Sequence, residues 1–462
     1  MRPADATRPI DDPGVFPCDA VPEDANAARL LGLYPQRQEG MWMQRLKVLG
    51  GVLSAEQWHT LAAVVRRFTP DTPLHLTTRQ DVELHNLSTG KVPCVQRRLF
   101  DAGLSGLGGC GDTLRNITVC PCSGTLAGTV DLLPLAWEIR RLLESTDGIY
   151  ALPRKFKISL SACEDACSEP WINDLGFIAL RSRDGWGFRV VGAGSLGRKP
   201  GTATRLYERI APWEVLPCVL AAVRVFAAEG DRENRSRARL RHVRERLGDK
   251  AFADLIDRTF AETRAERTWS KVALAEPSNP FTERVTLSFA NGDVDADAAE
   301  ALAALVGRKD TAVRIANGHR VRVFTRDAGA AAGIASEFPS LARAATPGPS
   351  VVACPGTRWC HRALADTHTL SDRLRRELAD VLTPEVDVRI SGCPNGCAHS
   401  AVADIGLVGG KTGPAGAKTD AWMLFVGGGR GRDDRLAAPV AGDLTADAVV
   451  THLRKRLGAD SR

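Results

Sequence analysis

"SACEDACSEPWINDLG" runs from Ser161 to Gly176, and "SGCPNGCAHSAVADIG" runs from Ser391 to Gly406. Each opens Ser-x-Cys, completes a Cys-x3-Cys, and reaches Asp, an apolar residue and Gly seven residues past its second cysteine. One passage written twice predicts a duplicated chain. The flanking sequence agrees. Leu46–Leu87 ("LKVLGGVLSAEQWHTLAAVVRRFTPDTPLHLTTRQDVELHNL") reads strand, turn, amphipathic helix, then two short strands around a turn. Val285–Asp327 repeats that order. The helix stripes are Trp58, Leu61, Val64 and Val65 in the first copy, and Ala299, Leu302 and Leu305 in the second. Each unit leads into a cysteine region and closes on a Gly-rich strand end, "FRVVGAGSLGR" or "MLFVGGGRGR". Between the halves lies Trp213–Thr268, charged and mostly helical in pattern, with a junction near Glu276-Pro277-Ser278. A pseudo-twofold α+β fold follows, with one copy of each element facing any site between the halves.

Composition narrows the function classes. The chain has 462 residues, 44% apolar and 25% charged, which is ordinary for a globular protein of more than one domain. No apolar run has membrane length, and the N-terminal "MRPADATRPIDDPG" has no signal-like apolar core, so the expected address is the cytoplasm without membrane insertion. Twelve cysteines in a reducing compartment point to metal or redox chemistry rather than disulfides. Those at 18, 94, 110 and 218 are scattered and read as bland. The net charge of +6 gathers partly in Arg232–Arg246 ("RENRSRARLRHVRER"), which reads as a helix with a solvated basic face. The alternatives are an anionic cofactor or an acidic partner. Nucleic acid is disfavoured, since no nucleic-acid-binding motif accompanies the charge.

Cys354 and Cys360 enclose five residues, and Cys393 and Cys397 enclose three. Four thiolates in two local pairs suit an iron–sulfur cluster or zinc, and the wide spacing favours the cubane. In the first half Cys120, Cys163 and Cys167 take equivalent places, but Leu126 stands where a fourth ligand is needed, and Cys122 is additional. A scaffold that no longer ligates is the favoured reading there, and a second metal site the other. Basic residues collect near the first copy: Arg79 in the turn of "TTRQD", Arg115 opening "RNITVC", and Lys155 and Lys157 alternating in "LPRKFK", so that both face one side of a strand. An anion explains them better than solvent does. Gly318 replaces Arg79 in the duplicate, so the first half would supply cations and the second half the metal. "GAGSLG" (Gly192–Gly197) is followed by "RKPG", a poor helix start for a dinucleotide site, and "GLVGGKT" has Ile405 where a phosphate loop needs Gly.

The order of "MWMQRLKVLGGVLSAEQW", "LTTRQDVELH", "RNITVC", "LPRKFK", "NDLGFIAL", "GDRENRSRARLRHVRERLG", "ISGCPNGC" and "DIGLVGGKT" resembles the sirohaem- and [4Fe-4S]-containing sulfite and nitrite reductases over about residues 30–430. That resemblance implies an internally duplicated sulfite/nitrite reductase fold of ferredoxin-like half-domains plus two sirohaem- and cluster-binding α+β domains. The expected divisions are an N-terminal extension over 1–30, a ferredoxin-like half-domain over 31–110, an α+β domain with its charged helical linker over 111–275, a second half-domain over 276–345, and the ligand-bearing α+β domain over 346–462. It implies Cys354, Cys360, Cys393 and Cys397 as cubane ligands, with Cys397 bridging to sirohaem and Arg79 and Asn395 at the cofactors. Arg45, Arg115, Lys155 and Lys157 would face substrate. The implied reaction is six-electron reduction of sulfite to sulfide, with nitrite to ammonia as the alternative; Lys157 favours sulfite. Electrons would come from a separate ferredoxin or flavoprotein. A precorrin-3B synthase-like enzyme is the rival within the same fold, and an iron–sulfur electron carrier or redox sensor the rival outside enzymes.

Overall fold

The computed structural model describes residues 17–429, 431 and 435–459. Two five-stranded sheets carry the duplication. One runs Leu114–Val119, Phe156–Ser161, Leu175–Ser182, Gly185–Gly192, Thr204–Ile210, and the other Ser350–Ala353, Asp387–Ser391, Ile405–Thr412, Thr419–Val426, Ala438–Leu444. In both, the first three strands are parallel and the last two are added as antiparallel hairpins. The registers match as well: Ile158 pairs with Leu175, and Val388 with Ile405.

The shared Asp-x-Gly passage has a backbone cause. Asp174 Oδ2 accepts the N–H of Lys157 at 2.8 Å, and Asp404 Oδ2 accepts the N–H of Asp387 at 2.9 Å. Each carboxylate thus satisfies a donor where the neighbouring strand starts. At Gly406 a Cβ would lie 2.1 Å from the carbonyl of Ser400, so only glycine lets the strand pass under the cysteine loop.

The smaller units share one core. Helix Ala55–Phe68 is capped by Ser54 and Gln57 in a reciprocal capping box and buries Trp58, Leu61, Val64 and Val65. It packs on helix Ala296–Val306, capped by Asp295, which buries Ala299, Leu302 and Leu305. Both predicted stripes are therefore core. Sheet pairing also crosses the halves: Asp293–Val294 adds antiparallel to Leu74–Leu76 at the edge of the sheet Leu33–Pro35, Met41–Leu46, Val82–Ser88, Leu74–Leu76. The turn residue Gly51, at φ +71°, presses so close to Ile315 that a Cβ would sit 2.1 Å from its carbonyl oxygen.

The basic run departs from expectation. Only Leu240–Leu247 is helical. Upstream, the Asp231 carboxylate accepts the N–H groups of Glu233 and Asn234, and Asn234 accepts that of Ser236. Such local side-chain bonds offer the backbone an alternative to the helix. The run is a solvated face only in part: Arg232, Arg235, Arg237 and Arg246 are exposed, whereas Arg239 and Arg241 are buried. Of the Gly-rich strand end "MLFVGGGRGR", Arg430 and Arg432 lie outside the described residues.

Candidate functional site

Cys354 follows strand Ser350–Ala353 and donates its N–H to Ile390. Cys360 ends the one-turn helix Gly356–Trp359, and Cys393 and Cys397 lie in the turn after strand Asp387–Ser391. The first half clamps these loops. Arg37 donates to the carbonyls of Trp359 and Ala363, Gln38 to that of Arg358, and Thr78 Oγ1 to the carbonyl of Cys397 at 2.9 Å. The loop holding Leu196 and Gly197 meets Gly396 from the other side.

Burial and the neighbouring Cys397 push the thiols of Cys354 and Cys360 up, and burial pushes Cys393 up to about 11. Asn395 and the backbone N–H of Gly392 counter this by donating to the sulfurs of Cys393 and Cys354, the latter at 3.1 Å. Gathered thiols that oppose each other's ionisation, with N–H donors aimed at sulfur, fit a polynuclear metal centre, whose positive charge relieves the opposition. Among the described residues no three His, Cys, Asp or Glu close around a single-ion position.

The cationic set is linked by charge, Lys155 to Cys397 and Arg115, Arg115 to Arg45, and Lys157 to Arg79 and Lys155. Arg115 donates to the carbonyls of Gly109 and Gly111 at 2.7 and 2.9 Å, and burial lowers its pKa. Arg79 donates to Asn173 Oδ1 at 2.5 Å and to the carbonyl of Asn116 at 2.8 Å. The Nε of each is buried without a hydrogen-bond partner among the described residues. Lys155 precedes strand Phe156–Ser161 and Lys157 lies within it. Burial, then the charges of Arg239 and Arg115, brings Lys155 down to about 7; burial and Arg79 push Lys157 well below its ordinary range. Unlike these, Arg45 has a carboxylate: its Nε and Nη2 reach Glu83 Oε1 at 2.8 and 2.6 Å. Cations crowded and buried in this way are stabilised by an anion between them, and sirohaem, a polycarboxylate, fits.

Several contributors carry no sequence flag. Cys110, read as bland, is buried 3.6 Å from Arg45 Nη1; its place in "GGCGDTLR", just before Arg115, was the available hint. Burial alone would raise Glu83, but Arg45 and His85 hold it well below the carboxylate range. His85 stacks on Trp359, next to Cys360, at 4.2 Å. Arg239 makes a buried two-point contact with Asp174 at 3.0 and 2.6 Å, behind the lysine strand.

Beneath the cysteine turn the two copies touch. Glu169 and His399 hold the same position in their copies, both left-handed at φ +56° and +67°. His399 Nδ1 meets Glu169 Oε2 at 2.6 Å, and Arg389 Nη2 meets Glu169 Oε1 at 2.8 Å.

The nitrite and sulphite reductase 4Fe-4S domain matches residues 110–263 and 349–458, and the nitrite/sulfite reductase ferredoxin-like half domain matches 34–101. The chain belongs to the nitrite and sulphite reductase family. It is therefore an oxidoreductase, and its cofactors are sirohaem and a [4Fe-4S] cluster. Among relatives, the assimilatory ferredoxin-dependent nitrite reductase of Haloferax mediterranei is 30% identical over 93% of this chain and 82% of its own length. The ferredoxin–nitrite reductase of spinach (Spinacia oleracea) is 26% identical over 91% of this chain and 74% of its own. The sulfite reductase [ferredoxin] of Mycobacterium tuberculosis is 26% identical over 88% and 80%. The solved structure of the Mycobacterium tuberculosis NirA protein superposes with a TM-score of 0.80 at 24% identity, covering 92% of this chain and 85% of that one, and it shares the fold. Among the described residues no helix is long and apolar enough to cross a membrane.

Proposed function

We propose that this reductase converts sulfite to sulfide, taking electrons from a separate ferredoxin. In this reading Cys354, Cys360, Cys393 and Cys397 would hold the cluster, Cys397 would serve the sirohaem as well, Arg79 would meet sirohaem carboxylates, and Asn395 would steady the Cys393 sulfur. When bound, sirohaem and the cluster supply the electrons and the iron at which substrate is reduced. The observation that carries the reading is the buried cationic cluster of Arg45, Arg115, Lys155 and Lys157, in which Lys155 interacts with the charge of Cys397 and the last three have no carboxylate in hydrogen-bond reach among the described residues. Sulfite has three oxygens and up to two negative charges, and such a pocket matches it better than singly charged nitrite. The two guanidiniums hold oxygens as charge builds on them, and the lysines deliver protons. The balance is sulfite with six electrons and six protons, giving sulfide and three waters. An electron carrier would need the cysteines but not this cationic pocket.

A second reading, nitrite to ammonia, is favoured by the nitrite reductase of Haloferax mediterranei at 30% identity. A net charge of +6 suits an acidic ferredoxin as donor, and cysteines that are free among the described residues suit the cytoplasm. The test is turnover of the anaerobically purified holoenzyme with reduced methyl viologen, measuring sulfide and ammonia. Sulfite is expected to give the higher kcat/KM, and Lys157→Met to lower its kcat by about 100-fold. A higher kcat/KM for nitrite, with no sulfide formed, overturns the assignment.

A further inference from the structure

The first-half cysteines remain outside the reductase chemistry, and their arrangement differs from that of their counterparts. Cys120 Sγ and Cys167 Sγ lie 2.8 Å apart as free thiols. No such contact joins Cys354 and Cys397, which hold the same places in the second half, among the described residues. Cubane thiolates stand on different irons and cannot touch, and Leu126 occupies the fourth-ligand position. Forming a disulfide of about 2.05 Å, by contrast, needs a closure of less than about 1 Å. Cys167 is exposed, while Cys120 is buried behind it. Cys122 is a third thiol against Cys120, with Arg284 Nη1 3.9 Å from its sulfur and Arg322 beside it. Arg322 and Arg284 oppose the upward push that the Cys120 contact and burial put on the Cys122 thiol. Beside the second-half cysteine Cys360 the matching neighbour is Glu83, a carboxylate supplied by the first half.

We propose that Cys120 and Cys167 form a reversible dithiol–disulfide site that exchanges with low-molecular-weight disulfides, separate from the reductase centre. Cys167 attacks the small disulfide, forming a mixed disulfide and releasing one small thiol. Cys120 then attacks the Cys167 sulfur, releasing the second small thiol, and its proton leaves on that thiol. The protein pair loses two electrons and two protons, and the small disulfide gains them. The new bond ties the end of strand Leu114–Val119 to the turn that leads into Glu169, so the oxidised form fastens the contact between the two copies.

The test equilibrates the holoenzyme anaerobically in buffers of varied glutathione to glutathione disulfide ratio. Samples are acid-quenched, alkylated with N-ethylmaleimide, digested and mapped by mass spectrometry. A linked Cys120–Cys167 peptide is expected, rising with the proportion of glutathione disulfide and vanishing with dithiothreitol. Cys167→Ser is expected to abolish it, while Cys94→Ser, at an exposed cysteine elsewhere, leaves it unchanged. Three results each overturn the proposal: both residues alkylated in every buffer, a stable glutathione adduct on Cys167 as end product, or eight irons per chain falling to four in Cys120→Ser.

Discussion

Replacing Glu169 with alanine tests whether the contact between the copies holds the cysteine turn. Glu169 accepts from Arg389 at 2.8 Å and His399 at 2.6 Å, and the side chains are 7%, 1% and 4% exposed respectively. Burial drives His399 down to about 4, against the pull of Glu169, so at neutral pH the imidazole is neutral and donates through Nδ1. The variant therefore strands one buried cation and one buried N–H. Removing one partner of a buried ion pair costs about 3–5 kcal/mol. Asp387 keeps its 2.6 Å bond to Arg389 Nε, which places the expectation at the lower end, about 3 kcal/mol. Glu169→Gln costs less, because the amide oxygen still serves Arg389 while His399 changes tautomer to accept from the amide NH₂ and turns Nε2–H toward Thr78 Oγ1, 3.4 Å away. The assay is the urea midpoint, set against Leu61→Ala in the shared core, whose expected cost is about 2–5 kcal/mol. A Glu169→Ala shift below a third of the Leu61→Ala shift refutes the reasoning.

Two further outcomes follow from the geometry. Gly51→Ala combines a left-handed backbone, costing about 1–2 kcal/mol, with a Cβ 2.1 Å from the Ile315 carbonyl, whereas Gly40→Ala at φ +70° meets nothing within 4 Å. The Gly51 variant is expected to lower the urea midpoint clearly more than the Gly40 variant, and equal losses would deny the close approach. Burial raises Asp293 to about 7, with Arg358 opposing, so the folded protein binds more protons than the unfolded chain between about pH 4 and 7 and loses stability as pH rises through that window. Asp293→Asn is expected to raise the melting temperature above pH 7, the gain fading toward pH 4; a lower melting temperature at pH 8 contradicts this.

The duplication was legible because its marks answer backbone demands. Asp174 and Asp404 satisfy strand N–H groups, Gly406 clears a carbonyl, and the helix stripes are core. Leu126 and Gly318 interrupt the symmetry at one ligand position and one cation position, and the proposed division of labour between the halves rests on them. The basic run was misread because charge patterning sees neither the turns built by Asp231 and Asn234 nor the distant carboxylates at Asp174 and Asp112 that Arg239 and Arg235 meet. Cys110 and Glu83 were missed for a similar reason. Their importance lies in what folds against them from elsewhere in the chain.

The shared core also bears on how the chain is made. Helix Ala55–Phe68 leaves the ribosome long before its partner, Ala296–Val306. At about 5–20 residues per second, that face waits on the order of 10–50 s for its cover. Until then Trp58, Leu61 and Val65 have no counterpart on the nascent chain, so a chaperone able to shield one helix face for that interval would raise the yield of native protein.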